Sequence, residues 1–181
     1  MPEVRTYADH LREAFGGQIE QIDLTPAQKA YLHGRWLDQI SWLEMKSTQS
    51  QRRYYRLRMV TVVGAVMIPA LVGLDGLAHP WDNLVRVATW IVSLVTAASA
   101  AVEGFFQFGE RWRTYRRTAE QLKTEGWLYL QLAGRYAVDG ADHPGLYGAF
   151  VNRVEEIVTS DVDAYLTEVT ADRTKSSGRG G

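Results

Sequence analysis

Two uninterrupted apolar runs, residues 59–74 and 87–102, stand out from a chain that is otherwise polar and rich in charge. Each holds sixteen residues without Asp, Glu, Lys or Arg. Sixteen helical residues cover roughly 24 Å, a little under the roughly 30 Å hydrocarbon core of a bilayer. Flanking groups can supply the difference: Arg58 and Arg86 can snorkel, and Trp81, Trp90, Phe105, Phe106 and Phe108 suit the interfaces. The pattern predicts a transmembrane hairpin with spans over residues 59–78 and 84–106. A hairpin buried inside a soluble bundle is the competing reading of runs this short.

Polar positions inside the second run follow a rule of their own. Thr89, Ser93, Thr96, Ala100 and Glu103 succeed one another at steps of four, three, four and three, with Ser99 beside Ala100, which places them on one helical stripe. Ile91, Leu94, Val95, Ala98 and Val102 occupy the opposite side. Small and hydroxylated residues let membrane helices approach closely, and they can also line water. Two roles therefore fit: a packing seam with Glu103 already among the headgroups, or a pore lining. On the second reading Asp75 and Asp82, in the turn between the spans, sit at the outer mouth.

Outside the runs the spacing is that of amphipathic helices. Residues 1–25 read as an N-terminal amphipathic helix and linker, with Val4, Tyr7, Ala8, Leu11 and Phe15 on one face and Gly16 and Gly17 ending it; this helix either packs or lies on the membrane surface. Residues 19–24 are short enough to be extended. Thr25 and Pro26 form a start signal, cap and first helical position, for a helix over 26–58 that runs on into the first span. Its apolar positions are Tyr31, Trp36, Ile40, Leu43 and Leu57, with Leu37 and Trp42 nearby. After the second span, residues 107–137 continue the helix without a break, and Trp112, Tyr115, Ala119, Leu122, Gly126, Tyr129 and Ala133 recur at threes and fours. A turn-rich stretch over 137–145 precedes a last amphipathic helix at 144–170, with Leu146, Phe150, Val154, Ile157, Asp161 and Tyr165 on one side, and residues 171–181 read as a flexible tail. The expected fold is all-α: a two-span transmembrane hairpin whose helices extend into a cytoplasmic helical bundle.

Charge orients the hairpin. Arg52, Arg53, Arg56 and Arg58 precede the first span, and Arg111, Arg113, Arg116, Arg117 and Lys123 follow the second, whereas the turn offers Arg86 against Asp75 and Asp82. Lys and Arg concentrate on the cytoplasmic side, so both termini are expected to be cytoplasmic. The arginines serve either as headgroup anchors or as a specific anion site. No charged segment followed by an apolar core opens the chain, so no cleavable signal peptide is expected.

Composition narrows the chemistry. A net charge of -1 provides no global basic field for nucleic acid, and the absence of cysteine removes disulfides and thiolate metal sites. His10, His33, His79 and His143 lie on separate elements, and Asp139, Asp142 and His143 match no calcium-loop spacing. No phosphate-binding glycine loop, nucleophile elbow or zinc-type motif is present. Neither an enzyme nor a metal or cofactor site is expected. Two helices cannot enclose a hydrated path, so a pore needs a homo-oligomer, on the order of four to six copies about one axis. A ring of Glu103 carboxylates would then concentrate inorganic cations, with Arg86 opposing the outer acids, which predicts weak cation selectivity. On the competing account Glu103 pairs with Arg58 or Arg111 and anchors the helix end, and the protein is a non-conducting scaffold or signalling accessory.

One segment carries a recognisable pattern. Arg111, Trp112, Tyr115, Arg116, Ala119, Glu120, Leu122, Lys123, Glu125, Trp127, Tyr129, Gly134 and Tyr136, directly after a two-span hairpin, resemble the SLATT superfamily of bacterial two-transmembrane proteins. The resemblance covers roughly residues 26–166. It implies a pore-forming membrane effector, often coupled to nucleotide-signalled defence, in the bacterial inner membrane, and it supplies no catalytic residue. A sensor or nucleotide-synthesising domain is not expected within these 181 residues. Trp112, Tyr115, Glu120, Lys123, Trp127 and Tyr136 are expected to pack the membrane-proximal part of the cytoplasmic bundle.

Overall fold

A computed structural model describes the backbone of residues 7–74 and 80–177 and the side chains of residues 9–74 and 80–160. Its helices are α1 (Tyr7–Gln21), α2 (Pro26–Tyr31), α3 (Asp38–Leu74), α4 (Asp82–Phe106), α5 (Phe108–Leu130) and α6 (His143–Ser177). A π-helical stretch, Leu32–Leu37, joins α2 to α3, and a 3-10 turn, Gly134–Tyr136, follows α5. The described residues contain no strand, as the all-α reading expects.

The predicted start at Thr25 is present in full. The Thr25 hydroxyl accepts from the Gln28 amide at 3.3 Å, and the Thr25 amide donates to the Gln28 side chain at 2.9 Å, a reciprocal cap with Pro26 in the first turn.

Several expected boundaries move. Gly16 and Gly17 do not end α1, and residues 19–21 are helical. Phe15 and Ile19, on either side of the pair, are completely buried, and burial of two large side chains outweighs the roughly 1 kcal/mol cost of each glycine. The helix after the second span is not continuous with it. Gln107 adopts φ 47°, ψ 44°, and its amide donates to the Glu103 carbonyl at 2.9 Å, which closes α4 and restarts the chain as α5. At the far end α5 stops at Leu130 rather than near 137. Leu132 and Gly134 have positive φ, and the Ala133 amide returns to the Leu128 carbonyl at 2.8 Å, so Ala133 lies in the closing turn and not on a helical face. In the other direction α6 continues to Ser177, beyond the expected end at 170; residues 178–181 of the expected tail lie outside the described residues.

The chain forms two compact units, one combining the described residues up to Lys46 with those from Thr114 onward, the other Ser47–Arg113. In the first unit Phe15 and Ile19 of α1, Leu32, Trp36, Ile40 and Leu43, Ala119, Leu122 and Tyr129 of α5, and Phe150, Val154 and Ile157 of α6 form one core. Trp36 is its centre: it meets Phe15 edge-on at 5.0 Å and Phe150 at 5.8 Å, and its indole N–H donates to the Leu122 carbonyl at 3.1 Å. The π-helical stretch widens the backbone where Leu32, Trp36 and Leu37 all turn inward.

The second unit is the hairpin. Ser47, Tyr54, Leu57, Thr61, Gly64, Ile68 and Leu71 of α3 turn inward, as do Val85, Thr89, Val92, Thr96, Ser99 and Glu103 of α4, both close to a repeat of 3.5 residues. Two helices are long and apolar enough to cross a membrane, and only 6 % of the most apolar 18-residue window in each is buried. Met59, Val62, Val66, Val72, Trp90, Ile91 and Leu94 point outward. A hairpin in the heart of a soluble bundle would bury these side chains; the two candidate spans point instead to a membrane location.

Candidate functional site

The predicted stripe on α4 proves to be two surfaces. Thr96 lies against Gly64 so closely that a Cβ added there would overlap its hydroxyl and β-carbon. Thr89 donates to the Val85 carbonyl at 2.8 Å and Thr96 to Val92 at 2.7 Å, so both hydroxyls are satisfied within their own helix, as a low-dielectric setting requires. Thr89, Ser93, Thr96 and Glu103 are half-buried, whereas Ala100 is exposed. Ser99, beside Ala100 along the stripe, is the most deeply buried polar residue of α4, at 9 % exposure. At 100° per residue α4 therefore carries three faces. The seam runs through Val85, Val92, Thr96, Ser99 and Glu103, the bulky apolar face through Val87, Ile91, Leu94 and Phe105, and an exposed small-residue face through Ala97, Ala100, Ala101 and Gly104 with Ser93 at its edge. A Cβ at Gly104 would meet nothing.

Because Gly64 and Thr96 touch with no room for a methyl group, Gly64→Ala should loosen the hairpin by about 1–3 kcal/mol. Pairing it with Thr96→Ala should recover most of the loss. Thermal unfolding of the three variants in detergent reads the effect, and an unchanged Gly64→Ala would show that α3 and α4 do not meet there.

The ends of α4 carry its acids. Asp82 lies half-buried in the first turn, where a carboxylate favours the helix dipole. Asp75 lies outside the described residues. Glu103 forms no ion pair with Arg58 or Arg111 among the described residues, although its backbone carbonyl caps α4.

Of the six residues expected to pack after the second span, the structure buries Lys123 and Tyr136, half-buries Trp112 and Tyr115, and leaves Glu120 and Trp127 exposed. Trp127 is nevertheless 4.7 Å from the Phe15 ring, and Tyr115 lies 5.8 Å from Trp42. Lys123 makes the contact that organises its surroundings. Its ammonium donates to Glu44 at 2.9 Å and to Glu120 at 2.8 Å, and Arg116 bridges the same two carboxylates at 3.2 and 2.9 Å. Burial works against the Lys123 charge, but the hydrogen bonds to Glu120 and Glu44 outweigh it and raise the pKa. Glu125 is likewise buried and accepts from the Tyr136 hydroxyl at 2.6 Å; burial and that hydrogen bond push the Tyr136 pKa up.

Glu44 escaped the sequence reading. Its signal was an acid between Leu43 and Ser47 on a face that also holds Ile40, a position an acid occupies only when a cation meets it.

A second clasp joins α6 to the start of the chain. Arg35 donates to both oxygens of Glu155 at 3.0 and 2.7 Å, and the Tyr31 hydroxyl donates to one of them at 2.7 Å. The Arg35 hydrogen bond holds the Glu155 carboxyl below its usual range. A depressed carboxylate stabilises the fold above its unfolded pKa of about 4.3 and loses that contribution as pH falls through the folded value. Both side chains are over a third exposed, so Glu155→Gln should cost about 0.5–1 kcal/mol at pH 7. Denaturation midpoints should show the difference narrowing below about pH 4.

Among the described residues no three His, Asp or Glu side chains are grouped so as to hold a metal ion. No curated protein and no solved structure matches the chain. The family described as "Protein of unknown function (DUF4231)" matches residues 38–142, which takes in the described parts of both candidate spans and the whole of α5. With more than half of its length inside that match, this chain belongs to the DUF4231 family.

Proposed function

We propose that the chain is the subunit of a homo-oligomeric membrane pore, weakly selective for inorganic cations, in the bacterial inner membrane with both termini cytoplasmic. The observation that carries this reading is the exposed small-residue face of α4. Ala97, Ala100, Ala101 and Gly104 are exposed, not covered by any of the described residues, and small residues are what lets helices of separate copies approach closely in lipid. The resemblance to the SLATT superfamily supports the same direction. About four to six copies arranged on this face would bring Ser93 and Ala100 to the axis, with Thr89 beside them and Glu103 near the inner mouth.

A specific observation favours a second reading, a non-conducting scaffold acting through the helical bundle: Thr89 and Thr96 already spend their hydroxyl protons on their own helix, and Thr96 is wedged on Gly64. Mass measurement in detergent followed by recordings in planar bilayers separates the two. The pore reading expects oligomers, a current, and a cation preference that Glu103→Gln reduces in reversal-potential measurements. Monomers alone, or oligomers that carry no current, would leave the scaffold. Asn83→Cys, at the exposed start of α4, should react with an impermeant thiol reagent from outside the cell.

A further inference from the structure

One end of the hairpin carries a band of charge that the pore does not use. Arg52, Arg53, Arg56 and Arg58 of α3 and Arg111 and Arg113 of α5 are all exposed, because each lies off the inward positions of its helix. None of the six forms an ion pair among the described residues, and the acid nearest in sequence is Glu110, next to Arg111. The two groups of arginines belong to one band, since α3 and α5 touch here. The Arg53 guanidinium lies 5.9 Å from the Phe108 ring centroid, a Cβ at Gly109 would come within 3.0 Å of the Tyr54 ring, and the Ser47 hydroxyl donates to the Trp112 carbonyl at 3.3 Å. From Arg52 to Arg58 the helix rises roughly 9 Å, which is comparable with a headgroup layer. The band begins where the apolar run begins, at Met59.

Guanidinium groups without carboxylate partners, set among aromatic rings at the edge of an apolar surface, fit phosphodiester oxygens: the fork geometry takes two oxygens and the rings take the glycerol and upper acyl region. We propose that this belt binds the headgroups of anionic phospholipids and sets a requirement for them in the leaflet it faces. The proposal rests on the membrane reading of the hairpin and is independent of conduction. The ligand is a lipid headgroup and not a free phosphate, because the six side chains are exposed in a band that adjoins the apolar run at Met59.

The test uses the full chain reconstituted into nanodiscs of phosphatidylcholine with increasing phosphatidylglycerol, with retained lipid measured by native mass spectrometry after release into detergent. Wild-type protein should retain phosphatidylglycerol at least tenfold over phosphatidylcholine, and the preference should weaken as salt rises. Arg52→Gln, Arg56→Gln and Arg113→Gln combined should bring the ratio to within about threefold of unity while the protein still inserts. Equal retention of the two lipids by wild-type protein, or an unchanged ratio in the triple variant, would overturn the proposal. So would displacement of phosphatidylglycerol by millimolar inorganic phosphate at constant ionic strength, which would mark a small-anion site. Failure to insert into any disc is a different result and would remove the membrane reading itself.

Discussion

Replacing Lys123 with Met is expected to cost the first unit about 3–5 kcal/mol, toward the lower figure because Arg116 stays beside Glu44. The Lys123 and Glu44 side chains are 7 % and 5 % exposed, and their 2.9 Å contact is what offsets the burial of both charges. With the ammonium gone, Glu44 keeps only Arg116, at 3.2 Å and itself half exposed. The cost is that of a stranded carboxylate and not of the pair's net worth, so Lys123→Met combined with Glu44→Leu should recover most of the stability. Arg116 and Glu120 remain paired with each other at 2.9 Å in that double variant.

The pH dependence follows from the direction of the shift. Lys123 has a folded pKa above its unfolded value of about 10.4, so its contribution is complete below that value and is lost as pH rises through the folded one. Urea midpoints of wild-type and Lys123→Met protein should therefore differ by the same amount from pH 7 to about 10 and converge only above. A single variant as stable as wild type, or a double variant no better than the single, would show that the network does not hold this unit together.

Gly126 is the position where one added carbon should matter most. A Cβ at Gly126 would overlap the six-membered ring of Trp36, and that ring cannot give way. Phe15 and Phe150 hold it at 5.0 and 5.8 Å, and its N–H is tied to the Leu122 carbonyl. Overpacking ordinarily costs about 1–3 kcal/mol; against a fixed ring, Gly126→Ala should reach the top of that range and Gly126→Val should exceed it. Trp36→Leu removes the obstacle, so combined with Gly126→Ala it should lose less than the sum of the single effects, a coupling of about 1 kcal/mol or more in a double-mutant cycle. Near-ultraviolet dichroism of the packed indole and denaturation midpoints read both effects. A Gly126→Ala protein within about 0.5 kcal/mol of wild type would mean that α5 and the Trp36 ring are further apart than described.

What could be read from the residues in order was whatever is decided within a few turns of chain. The two charge-free runs define the candidate spans, because the cost of charge in hydrocarbon is a property of each run alone. Thr25 and Pro26 mark a helix start with two consecutive residues, and the inward positions Trp36, Ile40, Leu43, Ala119, Leu122, Tyr129, Phe150, Val154 and Ile157 were visible as periodicity.

Tertiary structure decided what depends on partners far along the chain. Glu44 and Lys123 are 79 residues apart, and neither residue's neighbours announce the other. Likewise, a 3–4 alternation along α4 identifies a stripe but not its partner; only the approach of Gly64 assigns Thr96 to the seam and leaves Ala100 outside. Helix boundaries moved for the same reason. A glycine pair or a left-handed residue shifts local free energy by about 1–2 kcal/mol, and burying one Phe or Ile contributes about 1.5–3 kcal/mol. Where large apolar side chains flank a weak signal, as Phe15 and Ile19 flank Gly16 and Gly17, packing prevails and α1 runs on; at Gln107 and Leu132, residue types that signal no break in sequence, the folded chain turns.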